Sequence, residues 1–516
     1  MLLHTRFDRV AAEMPEKVAV VQGQRRATYG EVARNATHIA SFLTHSGVRK
    51  GDRVGILSEN SPEYVSAYFG LQKAGAMAVD INHQSSPREI ETILDHSEPA
   101  ALIGETQFLN RIAAAVESSP SIHTLLAINS KAKPQAPELN AALTARARCL
   151  CYDALAHSDL KPCLYPDMCP DDVSTIIYTS GTTGDPKGVM LSHENLLANA
   201  ESIIDYLHIA PDDSVMVILP FCYSYGKSLL TTHLLVGATL VLENSFLFPD
   251  VVLNKMIEEG VTGFAGVPST FAILLNRSAM REYRFPDLRY VTQAGGAMPP
   301  QHAQELMKAL PGVDVYIMYG QTEAGPRLTY LDPKDLIRKA GSIGKAIPGV
   351  TIELMKEGDV PAKPGEEGEI VASGRNIMLG YWNNPLDTAK VLRDGKLYTG
   401  DMAWMDEEGY LYIVGRRSDM IKSGAHRISP KEIEEVILEL PQTHEVSVVG
   451  ISDTMLGEAI KAFIVLKDGA TLDDKEVQRH CRAKLAQFKV PKEVAFVGHL
   501  PKTNAGKVRR HLLKQR

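Results

Sequence analysis

Residues 178–188 read Tyr-Thr-Ser-Gly-Thr-Thr-Gly-Asp-Pro-Lys-Gly. The stretch brings together the hydroxyls of Ser180, Thr182 and Thr183, the glycines Gly181 and Gly184, and one lysine, Lys187. Hydroxyls and exposed backbone N–H groups donate to phosphate oxygens, and a lysine supplies charge, so such a loop suits a polyphosphate. A P-loop NTPase requires G-x-x-x-x-G-K-[ST]. Here Pro186 precedes the lysine and Gly188 follows it, which excludes that motif. A merely structural Ser/Gly loop is the alternative. The loop follows an apolar, strand-like run, Val173–Tyr178. It precedes a helical pattern with Leu196, Leu197, Ile203, Ile204 and Leu207 on one face and Ser192 as N-cap.

Four further segments follow in order: Tyr319-Gly320-Gln321-Thr322-Glu323, Tyr398-Thr399-Gly400-Asp401, Gly415-Arg416, and Pro501-Lys502-Thr503-Asn504-Ala505-Gly506-Lys507. A nucleotide needs a base pocket, a ribose anchor, phosphate donors and a metal ligand. The strand-like run from Tyr290 to Gln293 leads into Ala294-Gly295-Gly296-Ala297, where glycine permits close backbone approach to a flat ring. A tight turn explains these glycines equally well. Glu323 is a candidate ligand for a hard cation, which takes carboxylate and phosphate oxygens. Asp401 can accept from both ribose hydroxyls, and an ion pair with Arg416 is its structural alternative.

Five motifs in register, with Thr28-Tyr29-Gly30-Glu31 near the start, resemble the adenylate-forming (AMP-binding) enzyme superfamily. That group contains the acyl- and aryl-CoA synthetases, stand-alone nonribosomal adenylation enzymes and beetle luciferase. The resemblance runs over nearly the whole chain, to Arg510. It implies a two-step reaction, in which a carboxylate attacks the α-phosphate of Mg-ATP to give acyl-AMP and pyrophosphate. A thiol, that of CoA or of a carrier-protein phosphopantetheine, then takes the acyl group.

The resemblance also assigns roles. Thr179, Ser180, Gly181, Thr182, Thr183, Gly184 and Lys187 would cradle phosphates. Gly295, Gly296 and Ala297 would face the adenine and the acyl end, with Tyr319, Gly320 and Gln321 opposite. Thr322 would donate to the α-phosphate, Glu323 would hold Mg2+, and Asp401 with Arg416 would hold the ribose. Lys507 would be the catalytic lysine of adenylation. Lys422 and Gly424 would lie in the segment brought inward for acyl transfer. Tyr223, Gly226, Lys227, Val267, Ala294 and Gly295 would line the substrate pocket.

Two departures stand out. Where relatives commonly carry Asp or Lys at the hinge this chain has Ser418, and where many carry His it has Tyr223. A small residue still absorbs a backbone rotation. No Asp or Glu occurs from Leu219 to Leu242, which argues against an α-amino acid and for a fatty or aryl carboxylic acid. Lys227 reads either as a solvated charge or as a partner for a second acidic group on the substrate.

With 516 residues, two to four folding units are expected. Composition is that of an ordinary globular protein, with 44% hydrophobic and 23% charged residues. No apolar stretch reaches the roughly 20 residues a bilayer span needs. The segment Met1–Arg9 has no apolar core to make a signal peptide, so a cytoplasmic enzyme is expected. Cys149, Cys151, Cys163 and Cys169 lack the paired C-x2-C knuckles of zinc ribbons and read as reduced thiols. The net charge is −7, yet residues 419–516 hold seventeen Lys and Arg against thirteen Asp and Glu. Residues 501–516 hold six basic groups and no acid, which suits ATP, pyrophosphate or CoA phosphates. The tail is too short and too poor in aromatics for nucleic acid.

Alternating strand-like and helical patterns predict α/β layers with largely parallel sheets. Among them are a strand at Val54–Leu57, a helix from Pro62 to Lys73 ending at Ala74-Gly75, a strand at Val215–Leu219 and a helix from near Ser228. Residues 340–400, rich in Gly and Pro, read as a small β-rich unit. After Arg417 come a helix Pro430–Leu440, strands Glu445–Ile451 and Ala459–Leu466, and a helix Asp473–Leu485. The expected architecture is a large multi-layered N-terminal domain over 1–415, with two α/β sheet subdomains plus the β-rich unit. A hinge at 416–418 and a small mobile α+β domain over 419–516 would follow. Three readings remain open: an acyl- or aryl-CoA synthetase, a ligase loading a free-standing carrier protein, and a non-catalytic adenylate-binding protein. Homodimerisation is left open.

Overall fold

The computed structural model describes residues 1–129, 138–157, 165–180, 186–417, 419–423, 426–453, 457–502 and 508–515. Gly181, Thr182, Thr183, Gly184, Ser418, Gly424, Lys507 and Cys163 lie outside the described residues. The fold is mixed α/β. The chain divides into two compact units: Met1–Ala340 with Ala346–Thr351 and Ala372–Leu397, and Gly341–Lys345 with Ile352–Val371 and Tyr398–Arg516.

The first unit contains two predominantly parallel sheets. In one, strands run in the order Thr329–Leu331, Asp314–Tyr319, Tyr290–Gln293, Gly263–Gly266, Ser214–Val217, Thr239–Leu242, Val18–Gln22 and Arg25–Thr28, with the short strand Lys345–Ala346 on the edge beyond Thr329–Leu331. Thr329–Leu331 is antiparallel to Asp314–Tyr319 and Arg25–Thr28 to Val18–Gln22, and the pairs between them are parallel. In the other the order is Gly380–Tyr381, Pro186–Ser192, Val173–Ser180, Met77–Asp80, Arg53–Leu57, Ala101–Glu105, Thr124–Ile128 and Arg148–Cys151. The helix Pro62–Ala74 is buried along every residue because it packs on strands of both sheets. Ser61 caps its N-terminus, Pro62 occupies the first turn, and Gly75 ends it in the left-handed region at φ 71°.

Local signals account for several boundaries. Thr28 and Glu31 form a capping box on the helix Tyr29–His45. Ser192 caps His193–Leu207, accepting from the Asn195 amide at 3.1 Å. The segment around 178–188 differs from a strand–loop–helix passage, because Val173–Ser180 and Pro186–Ser192 pair antiparallel, with Thr179 opposite Lys187 and Ser180 opposite Pro186. The helix expected from near Ser228 begins one turn earlier, at Ser224, with Tyr223 as its uncapped N-cap.

A further sheet orders Val360–Pro361, Val350–Lys356, Glu367–Gly374, Lys396–Met405 and Leu392–Arg393, with Leu411–Arg416 also paired to Lys396–Met405. Another sheet orders His426–Ile428, Ile421–Ser423, Gly457–Leu466 and Thr443–Asp453, with Glu493–Phe496 parallel to Gly457–Leu466. Period-two alternation gives this sheet two apolar faces. Val448, Ile460, Ala462 and Ile464 pack under the helices Pro430–Leu438 and Asp474–Lys484. Val449, Phe463 and Val465 pack with Leu500 and Leu513. Asp473 closes a capping box on its helix. Among the described residues no helix is long and apolar enough to cross a membrane.

Candidate functional site

In the first unit the site residues gather at the carboxyl ends of adjacent parallel strands, the edge where open α/β sheets bind ligands. Gly263–Gly266 delivers Val267, Tyr290–Gln293 delivers Ala294 to Ala297, and Asp314–Tyr319 delivers Gly320 to Glu323. Gly295, Gly296 and Ala297 are exposed and form an open ledge, whereas Ala294 is buried beneath it. Gln293 holds that ledge by donating from Nε2 to the Gly296 carbonyl at 2.8 Å. At Gly320 a Cβ would lie 1.9 Å from the Pro326 carbonyl oxygen, so no side chain fits. Gly226 is equally confined, 2.2 Å from the Pro220 oxygen.

Thr322 and Glu323 lie in the short 3-10 turn Thr322–Ala324. The Thr322 hydroxyl is 3.0 Å from that of Ser224, in the first turn of the helix Ser224–Leu234. The Tyr381 hydroxyl donates to Glu323 Oε1 at 2.8 Å. A half-buried carboxylate oriented by a neutral phenol, with no ion pair to a described cation in contact, has the donor chemistry a hard divalent cation requires. Glu323 therefore fits the role of Mg2+ ligand.

Lys187 is ion-paired with Asp387 at 2.7 Å and lies 5.2 Å from the Tyr381 ring centroid. Hydrogen bonds from Lys187, and then from Lys390, hold the Asp387 carboxyl well below the usual carboxylate range. A phosphate drawing on Lys187 must share it with Asp387. The backbones of Thr179 and Ser180 end the strand leading into 181–185.

Tyr223 accepts from Asn82 Nδ2 at 2.9 Å, and burial pushes its phenol above the usual range. Lys227 is neither solvated nor available to a substrate carboxylate. It is 1% exposed and donates to Asp80 Oδ1 at 2.9 Å and to the Tyr64 hydroxyl at 2.8 Å, with the Tyr68 ring centroid 3.9 Å away. Burial pushes Lys227 down and Asp80 up, and their mutual attraction opposes both shifts. Asp80, outside residues 219–242, is the buried carboxylate that Lys227 pairs with.

In the second unit Asp401 and Arg416 stand directly opposite on antiparallel strands, and Arg416 Nε donates to Asp401 Oδ1 at 3.1 Å. The ion pair and a ribose-binding role are compatible, since the arginine orients a carboxylate that is 7% exposed. Glu369 reinforces the turn, accepting from the Gly400 amide at 2.9 Å and from Arg417 at 3.2 Å. Lys422 lies in the strand Ile421–Ser423, its backbone opposite Arg427. Among the described residues no group of three potential metal ligands occurs; Cys149 is half-buried and Cys151 and Cys169 are exposed.

Sequence reasoning missed Tyr381, Asp387, Asn82, Asp80 and the Ser224–Thr322 contact. Each depends on a partner distant in sequence, and no local spacing signals it.

A two-sheet α/β unit with an open glycine ledge at its strand ends is thus followed by a small α+β domain. The profile of the AMP-binding enzyme family matches residues 7–382, and that of the AMP-binding enzyme C-terminal domain matches 432–507. The chain belongs to this family. It is 34% identical to an indoleacetate–CoA ligase of Aromatoleum aromaticum over 99% of this chain and 97% of that one. It is 33% identical to a long-chain-fatty-acid–CoA ligase of Bacillus subtilis over 98% and 93%. Its fold matches o-succinylbenzoate CoA synthetase from Bacillus subtilis holding the acyl-adenylate intermediate, with TM-score 0.85, 28% identity, and 99% and 97% coverage. The same synthetase has been solved with ATP and magnesium ion.

Proposed function

We propose that this protein is an AMP-forming carboxylic acid–CoA ligase that activates a fatty or aryl acid. The observation that carries the reading is the convergence of the Gly295–Ala297 ledge, Thr322 and Glu323 at one sheet edge. In the first step a carboxylate oxygen bonds to the α-phosphorus of ATP and the bond to the β-phosphate bridge breaks, releasing pyrophosphate. In the second a thiolate bonds to the acyl carbon and AMP leaves with the oxygen that joined them.

Thr322 donates to the α-phosphate, kept in place by Ser224. Glu323, oriented by Tyr381, would hold Mg2+, which when bound would supply positive charge for the phosphates. Asp401 and Arg416 hold the ribose. Lys507 supplies the cation between the carboxylate and the α-phosphate, where removing one such contact costs roughly 10²–10³ in rate. Lys422 and Gly424 serve acyl transfer. The functional boundary falls at 416–418, and the domain beyond it alternates between the half-reactions, since pyrophosphate must leave before the thiol reaches the same carbonyl.

CoA is the acceptor and a cytoplasmic location fits its supply. Loading of a free-standing carrier protein is the alternative, and the assembly is a monomer or a homodimer. Pyrophosphate release against a library of carboxylic acids tests the reading. Fatty or aromatic acids are expected to outpace every amino acid, and a preference for a proteinogenic amino acid would overturn it.

A further inference from the structure

The turn that carries Thr322 and Glu323 is gripped from two sides by buried asparagines. Asn199 lies on the helix His193–Leu207, and Asn376 lies between the strands Glu367–Gly374 and Gly380–Tyr381. They are 1% and 2% exposed, and each donates from Nδ2 to the same two carbonyls, those of Ala324 and Arg327. The Asn376 bonds measure 2.8 and 3.1 Å, and the Asn199 bonds 3.4 and 3.0 Å. Neither amide oxygen has a hydrogen-bond partner among the described residues. Each side chain is therefore oriented by what its nitrogen donates.

The two gripping elements are tied to each other. Asn195 lies one helical turn before Asn199, on the same face, and donates from Nδ2 to the Arg375 carbonyl at 2.7 Å. Beyond Asn376 the same segment meets the turn twice more. The Met378 amide donates to the Glu323 carbonyl at 2.9 Å, and the Tyr381 hydroxyl to Glu323 Oε1 at 2.8 Å. Glu323 is thus held at its backbone and at its carboxylate, while Asn376 holds the next carbonyl along. The approach is close: a Cβ at Gly325, whose φ is 63°, would lie 3.1 Å from the Asn376 carbonyl oxygen. Hydrogen bonds weaken steeply as their angle degrades, so Tyr381 can orient Glu323 only while the turn keeps its place.

We propose that Asn376, with Asn199 opposite, is a positioning residue that sets Thr322 and Glu323 by donating to the carbonyls of Ala324 and Arg327. The inference rests on the reading that Glu323 would hold Mg2+ and that Thr322 serves the α-phosphate. Misplacement of such a group by about 1 Å costs on the order of 10²-fold in rate.

The test uses the full-length enzyme. Asn376→Asp keeps the side-chain shape but sets a carboxylate against two carbonyl oxygens, and Asn376→Ala removes the donor without adding charge. Calorimetric titration without acid substrate gives the Kd of Mg-ATP and, with EDTA, that of metal-free ATP. Their ratio isolates what the metal site contributes. Both Asn376 variants are expected to shrink the parent's ratio about 10-fold, and Asn199→Asp to shrink it less. Exchange of ATP with pyrophosphate should fall by up to about 10²-fold. An Asn376→Ala enzyme that is less stable to urea yet keeps the parent's ratio would show a purely structural role and overturn the proposal. A parent-like ratio in Asn376→Asp would overturn it too. If Glu323→Gln also keeps the parent's ratio, the reading of Glu323 fails and this proposal with it. If Glu323→Gln loses the ratio while both Asn376 variants keep it, the proposal alone fails.

Discussion

Replacing Lys227 with methionine removes one charge from a pair that water does not reach, since the side chains of Lys227 and Asp80 are 1% and 0% exposed. The hydrophobic stem is kept, so the lost volume is small and the main consequence is electrostatic. Asp80 Oδ2 has no hydrogen-bond partner among the described residues. Losing the ammonium leaves, among those residues, the Tyr64 hydroxyl, 2.5 Å from Oδ1, to stabilise the carboxylate. Breaking a buried pair in this way costs about 3–5 kcal/mol.

The cost must depend on pH, and its sign follows from the raised Asp80 carboxyl. With its folded pKa above the unfolded one, the folded Lys227→Met protein binds the extra proton, so its stability falls as pH rises through the folded pKa. The deficit is therefore larger near about pH 8 than near about pH 5, by at most about 1.4 kcal/mol per pH unit traversed. Urea unfolding measures it cleanly, because the chain has 2 tryptophans, Trp382 in the first unit and Trp404 in the second. Trp404→Phe leaves Trp382 to report the unit that contains the pair. A Lys227→Met deficit below about 1 kcal/mol, or one that grows on acidification, would refute the argument. So would an Asp80→Asn/Lys227→Met double variant as unstable as Lys227→Met alone.

Glu323→Gln should raise the Mg2+ concentration needed for half-maximal pyrophosphate exchange on the order of 10–100-fold, and Tyr381→Phe should raise it by less. Unchanged metal dependence in both variants would remove Glu323 from the metal site. Burial holds His233 near a pKa of about 4 while its ring bonds the Tyr290 hydroxyl at 3.0 Å. This depressed value means that the unfolded chain takes the proton first, so His233 contributes stability above about pH 6.5 that is lost as pH falls toward 4. His233→Gln should flatten the acid limb of the stability curve by close to one proton, and an unaltered slope would exclude this origin.

What was legible in the sequence was local. Pro62 and Gly75 bracket their helix, Ser192 caps its own, and the strands read at 445–451 and 459–466 fall within the paired strands Thr443–Asp453 and Gly457–Leu466. The motif residues Thr322, Glu323, Asp401 and Arg416 were legible because each sits on a short, recognisable segment. What orients them was not. Tyr381 lies 58 residues from Glu323, and Asp80 lies 147 residues from Lys227. Only the fold brings such pairs together. Lys227 reads as a solvated charge or a partner for a substrate's second acidic group, because a lysine is ordinarily exposed unless it is paired. The early start at Ser224 was hidden because Tyr223 makes no side-chain cap.

The central claim concerns which bond carries the acid's oxygen. With carboxylate-18O-labelled acid, ATP, Mg2+ and CoA, mass spectrometry of the products decides it directly. Attack of the carboxylate on the α-phosphorus followed by thiol attack on the carbonyl predicts one labelled oxygen in AMP, none in pyrophosphate, and stoichiometric acyl-CoA. Label in inorganic phosphate with ADP as co-product, or unlabelled AMP, would contradict the account.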